Sequence, residues 1–212
     1  DKTGTLTKNE MCAVKFGVLL DGTAKLSIFD IDEAKNSYSP VNCYIKSSTR
    51  DFEADRAKNP DLFTSLATVC TYNNSSRVEV EGNNFKRVGE PTEAALKVFA
   101  EKLCGSAVDA KNAFNFEKQI GSKLTSIATL DFTSERKAMS TLVSGYKGNV
   151  DLLIKGAPDR IVNKCSNMLS KDGSRAFQGS EKAELLKQIG ELAGKGLRCL
   201  AIAEMQGAGE LS

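Results

Sequence analysis

Hydrophobic and polar residues recur with two different periods along the chain, and each period predicts one kind of element. Apolar residues at helical spacing predict helices, whereas short β-branched or alternating runs predict strands. The predicted helices are residues 59–74, 91–103, 157–165 and 180–196, and the predicted strands are residues 11–22, 25–29, 77–81, 84–88, 123–132, 138–144, 150–156 and 197–205. Residues 30–58 are polar and weakly patterned, and we interpret them as a long loop.

Turn and capping residues indicate how these elements connect. The stretch GYKGN at 145–149 leaves room only for a tight turn, so the strands on either side of it are predicted to pair antiparallel. Ser180 is predicted to cap the last helix, with Gly196 at its exit, and Gly105 is predicted to stop the helix at 91–103. The pattern as a whole predicts the α+β class, with a mixed, mainly antiparallel sheet flanked by helices.

Composition excludes several classes of function. The 212 residues include 29 Lys and Arg against 27 Asp and Glu, and a net charge of +2 without a basic block argues against nucleic-acid binding. Apolar runs are too short to cross a bilayer, so we expect no membrane insertion by this piece itself. The chain has no histidine, which excludes Ser-His relays and imidazole bases. The six cysteines show no paired spacing and fit a reducing, cytosolic setting.

The opening stretch DKTGTLT carries residues suited to phosphoryl chemistry. A carboxylate such as Asp1 can attack phosphorus and form an acyl phosphate that is later hydrolysed. Lys2 could neutralise phosphoryl oxygens, Gly4 would let backbone amides approach them, and the hydroxyl of Thr3 could donate a hydrogen bond. The alternative is a plain Thr-Gly turn at a frayed terminus.

This stretch resembles the phosphorylation motif of the P-type ion-pumping ATPases. Further matches follow in the order of that family: GEPTEAAL at 89–96, DFTSERKAMS at 131–140, KGAPD at 155–159 and GLRCLA at 196–201. The resemblance implies a stub of the phosphorylation domain at residues 1–10, a nucleotide-binding domain at 11–204 and the start of a linker at 205–212. The motifs are most similar to type II calcium pumps of the sarco/endoplasmic reticulum kind. Sodium/potassium pumps are the nearest alternative, and the absence of histidine excludes the heavy-metal pumps.

The resemblance also implies which residues hold ATP. Phe132 offers a flat face for adenine, and Lys137, Lys155 and Arg198 would supply cations around it. The full implied set for the nucleotide is Glu90, Thr92, Glu93, Phe132, Lys137, Lys155, Gly156, Ala157, Arg198 and Leu200. In the longer protein the resemblance makes Asp1 the phosphoacceptor, with Lys2 and Thr3 beside it, and Asp1 and Thr3 ligands of Mg²⁺.

Each of these residues also has an ordinary structural interpretation. An isolated Phe132 is more often a core residue, the lysines could be solvated, and acidic residues at 90 and 93 are favoured at any helix start. The sequence has Ser134 where calcium pumps of the sarco/endoplasmic reticulum kind carry an arginine. Whether Arg136 compensates for that difference is left open.

The strings TGD and GDGxND, which complete the phosphorylation domain in the family, do not occur here. We therefore expect a piece cut at the aspartate that is soluble and binds ATP without turning it over. Its partners would be the phosphorylation and actuator domains of a pump, on the cytosolic face of an endoplasmic reticulum-type membrane. The alternative from another class is a stand-alone aspartyl-phosphate phosphatase or phosphotransferase.

Overall fold

The computed structural model describes residues 9–32, 38–104, 109–170 and 172–210, so the predicted stop at Gly105 lies outside it. The helices in this part are α1 (Phe52–Lys58), α2 (Pro60–Tyr72), α3 (Pro91–Cys104), α4 (Asn115–Gly121), α5 (Pro158–Lys164) and α6 (Gly179–Ala193). The strands are β1 (Lys15–Val18), β2 (Ser27–Ile31), β3 (Ile45–Lys46), β4 (Arg77–Glu81), β5 (Asn84–Val88), β6 (Thr125–Leu130), β7 (Ala138–Ser144), β8 (Val150–Gly156), β9 (Asn167–Ser170), β10 (Gly173–Ala176) and β11 (Ala201–Met205).

The largest sheet has four strands in the order β11-β8-β7-β6, and its neighbouring strands all pair antiparallel. A three-stranded sheet has the order β1-β2-β3, and β4–β5 and β9–β10 form separate hairpins. This arrangement of antiparallel sheets and helices confirms the predicted α+β class.

Helix α2 is the centre of the packing. On one side Val69 packs with Val143 of β7 and Leu153 of β8, and all three side chains are almost fully buried. Its Phe63 joins a cluster of aromatic rings from the three-stranded sheet and from α1 and α3. Burying a side chain of this size contributes about 1.5–3 kcal/mol. The two sheets are therefore held together through one helix.

Most of the predicted elements are confirmed, including the β4–β5 hairpin and the antiparallel set β6, β7 and β8. The interpretation of residues 30–58 as one loop is wrong, because this span contains the end of β2, then β3, and then α1. Asp51 caps α1 by accepting a hydrogen bond from the Ala54 backbone N–H at 3.2 Å, and Phe52 anchors the helix in the core.

The predicted cap of α6 is also wrong. The helix begins at Gly179, and its N-cap is Gln178, two residues before the predicted cap Ser180. The Gln178 side chain accepts from the backbone of Glu181, and the Glu181 carboxylate accepts from the Gln178 backbone N–H at 3.1 Å. This reciprocal pair is a capping box, which satisfies two donors at once. Helix α4 and the β9–β10 hairpin were not predicted from the sequence.

Candidate functional site

An open cleft of about 260 Å³ lies at the end of the four-stranded sheet where β7 begins. Its lining comes from the β6–β7 loop, the start of α5 and the segment before β11. The lining residues are Phe132, Ser134, Lys137, Ala157, Arg198, Cys199 and Leu200. Pockets for drug-sized ligands usually measure ~300–1,000 Å³, so this cleft has room for only part of a nucleotide.

Phe132 is the aromatic wall of the cleft. The last register pair between β6 and β7 is Leu130 with Ser140, so Phe132 lies in the loop beyond the paired strands. Its side chain is 55% exposed. An exposed aromatic ring at the edge of a cleft offers a face to a planar ligand, and the core interpretation of this residue is excluded by its exposure.

Two cations share the cleft with this ring. Lys137 ends the β6–β7 loop with a φ of 49°, a left-handed conformation that costs a non-glycine residue about 1–2 kcal/mol. Arg198 reaches the cleft from the segment before β11, and both cationic side chains are exposed. The lining contains no acidic residue, so the cleft is positively charged and suits an anion.

Ala157 and Leu200 supply apolar surface beside the ring. The Ala157 backbone N–H donates to the Lys137 carbonyl at 2.9 Å, which ties the start of α5 to the end of the loop. The cleft also includes Cys199, which the sequence analysis did not assign to the site. The signal in the sequence was its position between Arg198 and Leu200, two residues that were assigned to the site. Burial raises the pKa of this thiol, so it stays neutral near pH 7.

Lys155 is placed differently from the other two cations. It is 4% exposed, and its ammonium donates to the Glu93 carboxylate at 2.6 Å and to the Asn73 carbonyl. Burial lowers the pKa of Lys155, and the negative charge of Glu93 opposes that shift. The resemblance implies that Lys155 supplies a cation around the base, whereas in this structure its ammonium lies against a carboxylate in the first turn of α3. Lys155 is not among the residues that line the cleft.

The start of α3 is fixed by the loop after α2. Glu93 accepts from the Ser75 backbone N–H at 3.2 Å, and its carbonyl accepts from the Asn74 side chain at 2.8 Å. The Glu90 carbonyl accepts from the Ser76 hydroxyl at 3.1 Å, while the Glu90 side chain is exposed. Thr92 is half-buried in the first turn of the helix. Neither Glu90 nor Thr92 is among the residues that line the cleft.

Gly156 is buried at the end of β8, directly before Ala157. A Cβ atom built on it would lie 2.4 Å from the Lys137 carbonyl oxygen and 2.8 Å from the Ala138 Cα. Real Cβ atoms do not approach backbone so closely. The absent side chain therefore makes room for the start of β7, and Gly156, which the resemblance places in the nucleotide set, is not among the residues that line the cleft.

A larger cleft of about 340 Å³ lies elsewhere, against the start of α2. Its Arg50 is already paired, at 2.7 Å to Asp55 and 3.1 Å to Asp21. The remaining lining residues are Leu20, Lys58 and Asn59. This cleft has balanced charge and no aromatic ring in its lining, so it fits a nucleotide less well.

Asp1, Lys2 and Thr3 lie outside the described residues, and so do the phosphoacceptor and magnesium roles assigned to them. Among residues that the structure describes, no group of three or more Asp, Glu or Cys side chains could hold a metal ion. Within the same ranges, no helix combines the length and apolarity needed to span a bilayer.

Comparison with known proteins agrees with this picture. Residues 62–211 match the family model of the P-type ATPase cytoplasmic domain N. The chain belongs to this family. Those residues include most of α2, all of α3, the whole four-stranded sheet and every residue that lines the Phe132 cleft. The cleft is therefore part of a P-type ATPase N domain.

Several curated relatives of this N domain are similar along nearly its whole length. Calcium-transporting ATPase 2, endoplasmic reticulum-type, of Arabidopsis thaliana is 34% identical, over 100% of this chain and 21% of the relative. The endoplasmic reticulum calcium ATPase srcA of Aspergillus fumigatus is 31% identical, over 97% of this chain and 22% of the relative. A probable calcium-transporting ATPase of Trypanosoma brucei brucei is 28% identical, over 96% of this chain and 21% of the relative. The chain spans about a fifth of the length of these relatives.

Proposed function

We propose that the chain holds ATP in the Phe132 cleft and positions it for phosphoryl transfer in a calcium-transporting P-type ATPase. The observation that carries this proposal is the grouping of one exposed aromatic ring with two exposed cations and no acid. Adenine stacks on Phe132, and Lys137 and Arg198 attract the phosphates.

The energetics of such a cleft favour modest affinity. Stacking of a base on an aromatic ring contributes about 1–3 kcal/mol. Lys137 and Arg198 are exposed, so their attraction for phosphate is screened by salt. ATP binding is therefore expected to weaken as the salt concentration rises.

The remaining residues act around this centre. Ala157 and Leu200 flank the base with apolar surface, and Gly156 allows the loop to approach β8. In this proposal Lys155 and Glu93 lie at the adenine end as an ion pair, in which each side chain neutralises the charge of the other. Glu90 and Thr92, at the start of α3, do not line the cleft, and in this proposal they contact the purine and ribose where the nucleotide extends beyond it.

The proposal extends to the longer protein. There ATP is used with Mg²⁺, the γ-phosphate is transferred to Asp1, and the phosphorylation and actuator domains are the partners. The names of the relatives support calcium as the transported ion and the endoplasmic reticulum as the membrane. The family description, a cytoplasmic domain, supports a place for this chain on the cytosolic face of that membrane. Phosphoryl transfer depends mainly on positioning and charge stabilisation. The 212 residues lack the TGD and GDGxND strings that complete the phosphorylation domain, so in this proposal the chain alone binds ATP without turnover. Release of phosphate above the blank by this chain would contradict that part.

Replacing the aromatic wall tests the binding proposal. Phe132→Ala is expected to weaken ATP binding about tenfold, or about 1.4 kcal/mol, because the stacking surface is lost. Phe132→Tyr keeps the ring and should bind nearly as well as the wild type. Dissociation constants from calorimetric titration provide the comparison.

Tyr44 offers a matched control, because it is another exposed aromatic residue, at 65%, and does not line the cleft. Tyr44→Ala should leave the dissociation constant unchanged. If Phe132→Ala binds ATP as tightly as the wild type, the ligand has been placed in the wrong cleft.

A further inference from the structure

The Arg136 side chain bridges the two ends of the β6–β7 loop. Its Nη2 donates to the carbonyls of Leu130 at 2.6 Å, Asp131 at 3.1 Å and Ala138 at 2.8 Å. Its Nε donates to the Ala138 carbonyl at 3.1 Å. Leu130 and Asp131 directly precede Phe132, and Ala138 is the first residue of β7. One guanidinium therefore connects the backbone before the aromatic ring to the strand after it.

This bridge replaces strand pairing that the loop lacks. The β6–β7 ladder ends at Leu130 and Ser140, and all six residues of β6 are exposed. Beyond that point the loop is closed by the Lys137 backbone N–H, which donates to the Thr133 carbonyl at 2.7 Å. The Arg136 backbone N–H also donates to the Thr133 hydroxyl at 3.2 Å. Without the guanidinium, the backbone at Asp131 would be held to β7 only through the neighbouring Leu130–Ser140 pair.

We propose that Arg136 is a positioning residue that fixes Phe132 for stacking on the base, and that it does not contact the phosphates. The inference rests on the proposed function of the cleft. Two nitrogens of the guanidinium are occupied by carbonyls of the loop, and Arg136 is not among the residues that line the cleft. A ring held in its bound position loses less conformational entropy on binding, so the bridge raises affinity without touching the ligand.

The chemistry of arginine explains why this residue type is needed. A planar guanidinium presents several donors in a fixed fork and can reach carbonyls on both sides of the loop. A lysine ammonium carries the same charge but is a compact group on a flexible chain. Arg136→Lys therefore separates the two roles. A direct contact with phosphate would tolerate it in large part, whereas the bridge would not.

The test compares two ligands on the full chain. Adenosine carries the base without phosphates, so a residue that acts through Phe132 affects adenosine and ATP equally. Arg136→Lys is expected to weaken binding of both ligands several-fold and by the same factor, with the ratio of the two dissociation constants unchanged. In Arg136→Lys combined with Phe132→Ala, the arginine change should add little, because the ring it positions is already gone.

A matched control is Arg77→Lys. Arg77 lies on β4, its side chain is 67% exposed and it pairs with Glu79 on the same strand. This variant should bind both ligands as the wild type does. Amide spectra of Arg136→Lys should change only around residues 130–138, which would show that the rest of the chain keeps its fold.

Three results would overturn the inference. Loss confined to ATP, with adenosine unaffected, would make Arg136 a phosphate contact. Wild-type affinity of Arg136→Lys for both ligands would show that the bridge has no role in binding, while leaving the proposed function intact. A wild-type chain that binds neither ligand would remove the proposed function and this inference together.

Discussion

Lys155→Met is expected to lower the free energy of unfolding by about 3 kcal/mol. Breaking a buried ion pair by removing one partner typically costs ~3–5 kcal/mol, because the other charge stays buried without compensation. The lower end applies here, since the side chain of Glu93 is 16% exposed and keeps the Ser75 backbone N–H as a donor. The Asn73 carbonyl also loses its ammonium donor. Urea denaturation followed by circular dichroism measures the change.

Two further variants make this result specific. Glu93→Gln added to Lys155→Met should recover part of the loss, because the unpaired carboxylate is removed. Lys137→Met serves as the control, since Lys137 is exposed in the Phe132 cleft and its replacement should change stability by less than about 0.5 kcal/mol. If the Lys155→Met variant has wild-type stability and weakened ATP binding, Lys155 contacts the ligand and is not paired with Glu93.

Asp151→Ala is expected to cost about 3 kcal/mol or more. Asp151 is fully buried on β8, and its carboxylate accepts from the backbone N–H groups of Lys147 at 2.8 Å, Gly148 at 2.7 Å and Gly207 at 3.0 Å. It thereby joins the turn between β7 and β8 to the turn after β11. Each buried donor left without an acceptor costs about 1–3 kcal/mol. The same denaturation experiment gives the value.

Asp151→Asn should lose less stability than Asp151→Ala, since one carbonyl oxygen remains to accept hydrogen bonds from the backbone N–H groups. Asp159→Ala is the surface control, because its carboxylate is 62% exposed in the first turn of α5 and is worth less than about 1 kcal/mol there. Equal and small losses for Asp151→Ala and Asp159→Ala would show that the buried carboxylate does not hold the two turns.

The elements that could be predicted from sequence are those stabilised by their own pattern. Helix α2 has a proline in its first turn and an apolar face, and the β7–β8 hairpin has two apolar strands around a tight turn. Local propensity and tertiary packing agree in both. In such segments, a single sequence carries enough information.

Helix α4 was missed because its N-terminus is capped from a distance. The Glu101 carboxylate, on α3, accepts from the backbone N–H groups of Phe116 at 3.2 Å and Glu117 at 2.7 Å. Burial raises the pKa of Glu101, and these two hydrogen bonds oppose that shift. A helix of seven residues that takes its cap from another helix has no complete start signal in its own sequence. By contrast, the Asp51 cap of α1 was a local signal that the sequence analysis passed over.

The candidate site divides in the same way. Phe132, Lys137 and Arg198 were named from motifs, and the structure brings all three to one cleft. The pairing of Lys155 with Glu93 joins residues 62 apart in the chain, and only folding reveals it. The hydrogen bonds of the Arg136 side chain could not be predicted from the sequence either, because their acceptors are backbone carbonyls that any residue would supply.

An ATP titration of the wild-type chain, followed by amide NMR, tests the central claim most directly. The account predicts saturable shifts concentrated at Phe132, Lys137, Ala157 and the segment 198–200, with little change around Arg50. Shifts centred on the cleft at Arg50, or no saturable shifts at all, would contradict it.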